Sequence, residues 1–187
     1  MNIIAFAASN SKSSINKQLV THAMQVLQSE ILPDAICDIL DLNDFEMPIY
    51  SVDREEVSGI PQQAHAFLSK IQSADALVIS FAEHNGNFTA AFKNIFDWVS
   101  RIDVEVFQGK DMVIMAASDG ASGGASVLEI ANDTAPYCGG SVKASFCVGP
   151  FFDVFDIGEG QLIDAALQQT LRESLTALAK PKQAVQQ

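Results

Sequence analysis

Basic residues are scarce in this chain: 11 Lys and Arg stand against 23 Asp and Glu, leaving a formal charge of −12. Such a surface repels phosphate backbones, so no nucleic-acid partner is expected. Cysteine is scarce too. Cys37, Cys138 and Cys147 are odd in number and form no C-x-x-C pair, which argues against a disulfide framework and a cysteine zinc site. Long apolar runs are missing, and the apolar opening has no basic flank, so neither a membrane span nor a secretory leader is expected. A reducing cytoplasm fits this composition. Also missing are a G-x-G-x-x-G fingerprint, a Walker loop and metal ligands at recognisable spacing, so no metal is expected and a dedicated dinucleotide crevice is not foreseen.

What is present is apolar material: 48% of 187 residues, enough for one sizeable core and one domain, placed at 1–179 with a frayed tail at 180–187. The opening segment Asn2–Ala8 is a short continuous apolar run ending in a polar cluster, the pattern of a strand buried on both faces. A helix follows, with Leu19, Ala23, Val26 and Leu27 near helical spacing and Ser14 as a candidate cap. The alternation then repeats: strands over 36–40, 76–80, 112–117 and 142–146, helices over 61–73, 89–101, 124–135 and 161–179. Strands alternating with helices imply a doubly wound α/β sheet, a flavodoxin-like three-layer sandwich of five parallel strands in the order 2-1-3-4-5. The ligand crevice of such a sheet lies where the winding reverses. The stretch 41–59 reads as a long loop, functional or mobile, and nine carboxylates crowd 30–56 beside the single base Arg54. Those carboxylates read first as a solvated face, with an acidic docking surface as the alternative.

Three strand-to-helix loops leave the carboxyl edge of this sheet. The first, Ser9-Asn10-Ser11-Lys12-Ser13-Ser14-Ile15-Asn16, offers hydroxyls, amides and a helix N-terminus, a setting that favours a phosphate. The second, Ala82-Glu83-His84-Asn85-Gly86-Asn87, holds an Asn-Gly turn suited to positive φ and to close approach by a ring. The third, Ser118-Asp119-Gly120-Ala121-Ser122-Gly123-Gly124, is glycine-rich.

On these loops the chain resembles the NADPH-dependent FMN reductase family, which includes quinone, azo-dye and chromate reductases. Ser9, Ser14 and Asn16 match G-S-x-R-x-x-S-x-N. Ala8 replaces its glycine and Ser11 its arginine, which removes a direct charge on the phosphate unless Lys12 or Lys17 turns in. Glu83, Asn85, Gly86, Lys93, Asn94, Asp97 and Trp98 match P-E-Y-N-G-S-x-P-x-x-L-K-N-A-I-D-W. Ala82, His84 and Thr89 depart from it. Ser118, Gly120, Gly123 and Gly124 match S-P-G-x-x-G-G, with Asp119 in place of proline.

The resemblance implies bound FMN with NAD(P)H as co-substrate, a small-molecule electron acceptor, and a homodimer or homotetramer. It implies cofactor contacts from Ser9, Ser11, Lys12, Ser14, Ile15, Asn16, Ala82, Glu83, His84, Asn85, Gly86, Ser118, Asp119 and Gly120. No catalytic side chain is obligatory, since the flavin supplies hydride chemistry. His84 is a candidate proton donor or stacking residue.

Two other classes compete. Gly120-Ala121-Ser122-Gly123-Gly124 fits the nucleophile elbow G-x-S-x-G of serine hydrolases, but all three histidines precede Ser122, against the usual order. A one-electron flavodoxin carrier suits the acidic surface but lacks the T-x-T-G-x-T phosphate loop.

Overall fold

A computed structural model describes residues 1–179; the tail expected at 180–187 lies outside the described residues. Five parallel strands form one sheet: β1 (Asn2–Ala8), β2 (Ile36–Leu40), β3 (Ala76–Phe81), β6 (Lys110–Ala117) and β7 (Gly140–Val148). Their order is β2-β1-β3-β6-β7, the flavodoxin-like 2-1-3-4-5 order. A small hairpin pairs β4 (Glu83–His84) with β5 (Asn87–Phe88), and a second pairs β8 (Phe155–Asp156) with β9 (Gln161–Leu162). The helices are α1 (Ile15–Val26), α2 (Val52–Ser58), α3 (Gln62–Ser73), α4 (Ala90–Ser100), α5 (Ala125–Thr134), the single turn α6 (Phe151–Val154) and α7 (Ala165–Thr176).

Alternate residues of each strand serve opposite faces, as the pleat requires. On β1, Ile4, Phe6 and Ala8 join a core with α3, α4 and α5, while Ile3 and Ala5 join one with α1 and α7. The first core is aromatic: Phe6 meets Phe67 edge-on at 5.5 Å, and Phe92 lies 5.4 Å from Phe81. Trp98 is 1% exposed in that core and donates Nε1–H to the Pro48 carbonyl at 2.7 Å. The second core is mostly aliphatic, built on Leu19, Val20, Met24 and Leu27.

The long loop expected over 41–59 is not a loop. A 3₁₀ turn (Leu42–Phe45) capped by Asp41 buries Leu42 and Phe45 against α3, and α2 follows from a Ser51 cap. Short range hid both, because neither segment is long enough to show helical periodicity. Asn94 holds this excursion on α4, accepting from Tyr50 N–H at 2.8 Å and donating to the Met47 carbonyl at 3.1 Å. No residue of α2 is buried.

The closing helix is also shorter than the expected 161–179. Gln161–Leu162 is a strand paired with Phe155–Asp156, and the helix starts at Ala165, where Asp164 accepts the Leu167 N–H at 2.8 Å. Asp164 is an ordinary N-cap, so the true start was written in the sequence and masked by the flanking apolar residues.

Candidate functional site

Adjacent parallel strands bring the three loops to one rim, since Ala8 pairs with Phe81 and Phe81 with Ala116 at the strands' carboxyl ends. Specific bonds then lock the loops together. Thr89, the α4 cap, donates Oγ1–H to the Ala8 carbonyl at 2.9 Å, tying the second loop to the first. Asn16 ties the first to the third: its Oδ1 accepts from Ser80 Oγ at 2.7 Å and from the Ala117 N–H at 2.9 Å, and its Nδ2 donates to the Ala117 carbonyl at 3.0 Å. Glu83 ties the second to the third, its Oε2 accepting the Val127 N–H in the first turn of α5 at 3.0 Å. Gly124, the N-cap of α5, has no side chain for that task.

In the first loop Ser14 caps α1, its Oγ accepting the Lys17 N–H at 3.2 Å, and Ser9 Oγ accepts the Ser11 N–H at 3.2 Å. The backbone N–H groups of Lys12, Ser13, Ile15 and Asn16 find no acceptor among the described residues. Open amides ahead of a twelve-residue helix form a ready anion cradle. Lys17 does not turn toward it; its Nζ lies 2.5 Å from Asp41 Oδ2, and this pair with the Asn43 amide holds the Asp41 carboxyl at about 2. Lys12 is exposed, with no ion pair among the described residues, and is the cation left to the loop.

The second loop is the β4–β5 hairpin, whose two-residue turn has φ of 54° at Asn85 and 73° at Gly86, as a tight primed turn requires. Ala82 is buried beneath it and His84 is exposed at its edge. In the third loop Ser118 donates Oγ–H to the Gly120 carbonyl at 3.2 Å, while Asp119 and Gly120 are exposed. Gly123 sits at φ 60° so close to the next strand that a Cβ would lie 2.9 Å from both Cys147 Cβ and the Val148 carbonyl carbon.

All fourteen residues expected at the site lie on this rim, though the side chains of Asn16 and Glu83 are engaged in joining loops. Sequence reasoning missed a cavity of about 300 Å³ beside them, floored by Leu42, Phe45 and Ile95 and opening between Asn10, Glu46 and His84. Its signal was the length of the 41–59 connection. Ser122 has no base: no histidine bonds it among the described residues, and His22 is packed edge-on against Phe155 at 6.0 Å. Burial, and secondarily Arg172, lowers the His22 pKa.

A doubly wound sheet whose loops offer an anion cradle and a glycine-lined rim at the winding reversal defines a flavodoxin-like nucleotide-binding protein. The family model for NADPH-dependent FMN reductase matches residues 1–149, and the chain belongs to that family. It is thereby an FMN-dependent, NAD(P)H-using oxidoreductase. It is 26% identical over 182 residues to a quinone reductase of Escherichia coli (strain K12), covering 96% of this chain and 94% of the relative. A 2-hydroxy-1,4-benzoquinone reductase of Burkholderia sp is 35% identical over 124 residues, 66% of this chain and 63% of the relative. In fold the chain is similar to a flavoenzyme NAD(P)H:(acceptor) oxidoreductase from Paracoccus denitrificans, with TM-score 0.68, 19% identity and coverage of 95% and 94%.

Proposed function

We propose that residues 1–179 act as one flavodoxin-like unit that holds the FMN monoester in the Ser9–Asn16 loop and the ring between the Asn85–Gly86 turn and the Ser118–Gly120 loop. The observation that carries this reading is the open row of N–H groups at Lys12, Ser13, Ile15 and Asn16, facing the same rim as the two glycine-bearing loops. FMN, when bound, supplies the hydride chemistry between NAD(P)H and acceptor.

The chain's own residues bind, orient and protonate. The α1 amides and helix dipole hold the phosphate dianion, with Lys12 standing in for the cation that Ser11 lacks. Positive φ at Asn85 and Gly86 makes a tight turn whose backbone a flat ring could approach closely, and its amides would hold the ring edge. Ser118 braces the third loop through Gly120, so that its exposed backbone keeps one geometry. His84, exposed beside the cavity mouth, is placed to stack on a flat ligand or to deliver a proton. No acid or base is otherwise required.

The acceptor class is a quinone, azo compound, metal oxyanion or free flavin. The assembly is a homodimer or homotetramer and the compartment the cytoplasm, as the composition and the family's habit support. The decisive experiment mixes purified protein with FMN, removes free flavin, and adds NADPH without oxygen. Yellow protein that bleaches within the turnover time supports the reading. Protein that retains no flavin overturns it. Sedimentation at micromolar concentration tests the assembly, a monomer refuting it.

A further inference from the structure

Two lysines stand at the first loop, and they are placed differently. Lys12 is exposed without an ion pair among the described residues, whereas Lys17, the third residue of α1, is turned aside. A cation in the first turn of a helix faces the positive end of its dipole, so it settles there only beside an anion. That anion is Asp41, the residue after β2, and the pairing of Leu40 with Phe6 of β1 brings its carboxylate next to the loop. The two oxygens of Asp41 are divided between two tasks. Oδ2 lies 2.5 Å from Lys17 Nζ. Oδ1 accepts the Asn43 backbone N–H at 3.0 Å and Nδ2–H at 2.7 Å, and the same Nδ2 donates to the Asn10 carbonyl at 3.1 Å, which pins the start of the loop.

We propose that Asp41 is a specificity-determining residue for flavin binding: by engaging Lys17 it keeps a second cation off the Ser9–Asn16 cradle and so limits the preference for FMN over flavin without a phosphate. The inference rests on the reading of that loop as the phosphate seat. A helical side chain leans toward the helix N-terminus, and the flexible four-carbon stem of lysine lets its ammonium sweep over the first turn, so the cradle and Asp41 are rival anion positions for one Nζ. Asp41 holds it before flavin arrives. A phosphate dianion must therefore compete with a carboxylate already in contact, and the loop receives it through neutral N–H groups and Lys12. The pair is partly exposed, its side chains 44% and 34% accessible, so the hold is modest and one substitution shifts the balance. Asp41→Asn separates the two tasks, since its amide oxygen still accepts from Asn43 while the charge that holds Lys17 is gone.

Flavin fluorescence titration at low ionic strength, without NADPH, compares FMN with riboflavin on wild type, Asp41→Asn and the double variant Asp41→Asn/Lys17→Gln. In Asp41→Asn the FMN affinity rises about three- to tenfold while riboflavin affinity stays within about twofold of wild type, because only the phosphate gains a charged partner. The double variant, which removes the freed cation as well, returns FMN affinity to within about twofold of wild type. The gain of the single variant shrinks as salt rises through ~0.15 M, where screening shortens the reach of an exposed charge. If wild type prefers FMN to riboflavin and Asp41→Asn binds FMN no tighter, the proposal falls and the phosphate seat stands. It falls equally if riboflavin shares the gain or if the gain survives in the double variant, since the cause is then the loop or the lost carboxylate charge and not Lys17. Wild type that binds riboflavin as tightly as FMN overturns the phosphate seat itself, and the proposal with it.

Discussion

Replacing Asn16 by alanine removes three hydrogen bonds at the point where α1, β3 and β6 meet. The side chain is 2% exposed, and its partners are Ser80 Oγ and both backbone groups of Ala117. Each made bond is worth about 1 kcal/mol net, but a buried partner left unsatisfied costs ~1–3 kcal/mol. Three orphans would together cost about 3–9 kcal/mol were water kept out. A water admitted to the vacated space re-satisfies part of the set, so the expected loss is about 3 kcal/mol. For a domain of this size that is roughly 6–12 °C in Tm. Urea titration followed by far-UV dichroism checks it, with a lower midpoint and an unchanged m-value. Ser80→Ala added to Asn16→Ala removes one orphan and recovers about 1 kcal/mol, a coupling the double-mutant cycle isolates. A loss below about 1 kcal/mol at constant m would show that the clasp carries no weight and that the first and third loops are held by strand pairing alone.

Three further outcomes follow from the same geometry. Glu83→Ala frees the Val127 N–H, costs about 1 kcal/mol, and speeds hydrogen exchange at Val127, while Glu83→Gln, which retains an acceptor, restores most of the protection. Gly123→Ala forces a Cβ to within 2.9 Å of Val148 backbone at positive φ, so stability falls by at least ~2 kcal/mol and FMN affinity falls with it, measured by flavin fluorescence titration. Asp41 has its folded pKa depressed to about 2, so it adds stability above its unfolded value near 4, and that contribution fades as pH drops from about 4 to 2. Because the pair with Lys17 is partly exposed, solvent screening limits its worth to ~1 kcal/mol, and wild type and Asp41→Asn should converge in stability below about pH 2 in acid titration.

Much of the fold was legible. Strand β2 falls at 36–40 as expected, because a short apolar run between polar turns leaves little choice of boundary. Ser14 and Thr89 were readable as helix starts by their chemistry, and Asn85-Gly86 as a turn by its tolerance of positive φ. What escaped were features decided by distant partners. The 3₁₀ turn at Leu42–Phe45 exists because Phe45 packs on Phe67, at 5.2 Å, which no local pattern announces. Likewise the loop motif flagged Asn16 and Glu83 as site residues, yet a motif does not say which way a side chain turns. Both reach across to neighbouring loops, over 101 and 44 positions of chain. The cavity was illegible for the same reason: its floor and wall come from segments that only tertiary folding brings side by side.

The strand order has a consequence for how this protein comes off the ribosome. Because β1 sits between β2 and β3 and the rim is completed by the turn after β6, no early portion of the nascent polypeptide contains a finished crevice. Most of the chain must emerge and pair through distant partners before flavin has anywhere to lodge. Capture of a yellow chromophore during synthesis would therefore report the arrival of Gly124 and the strands before it, and truncated products ending earlier would stay colourless.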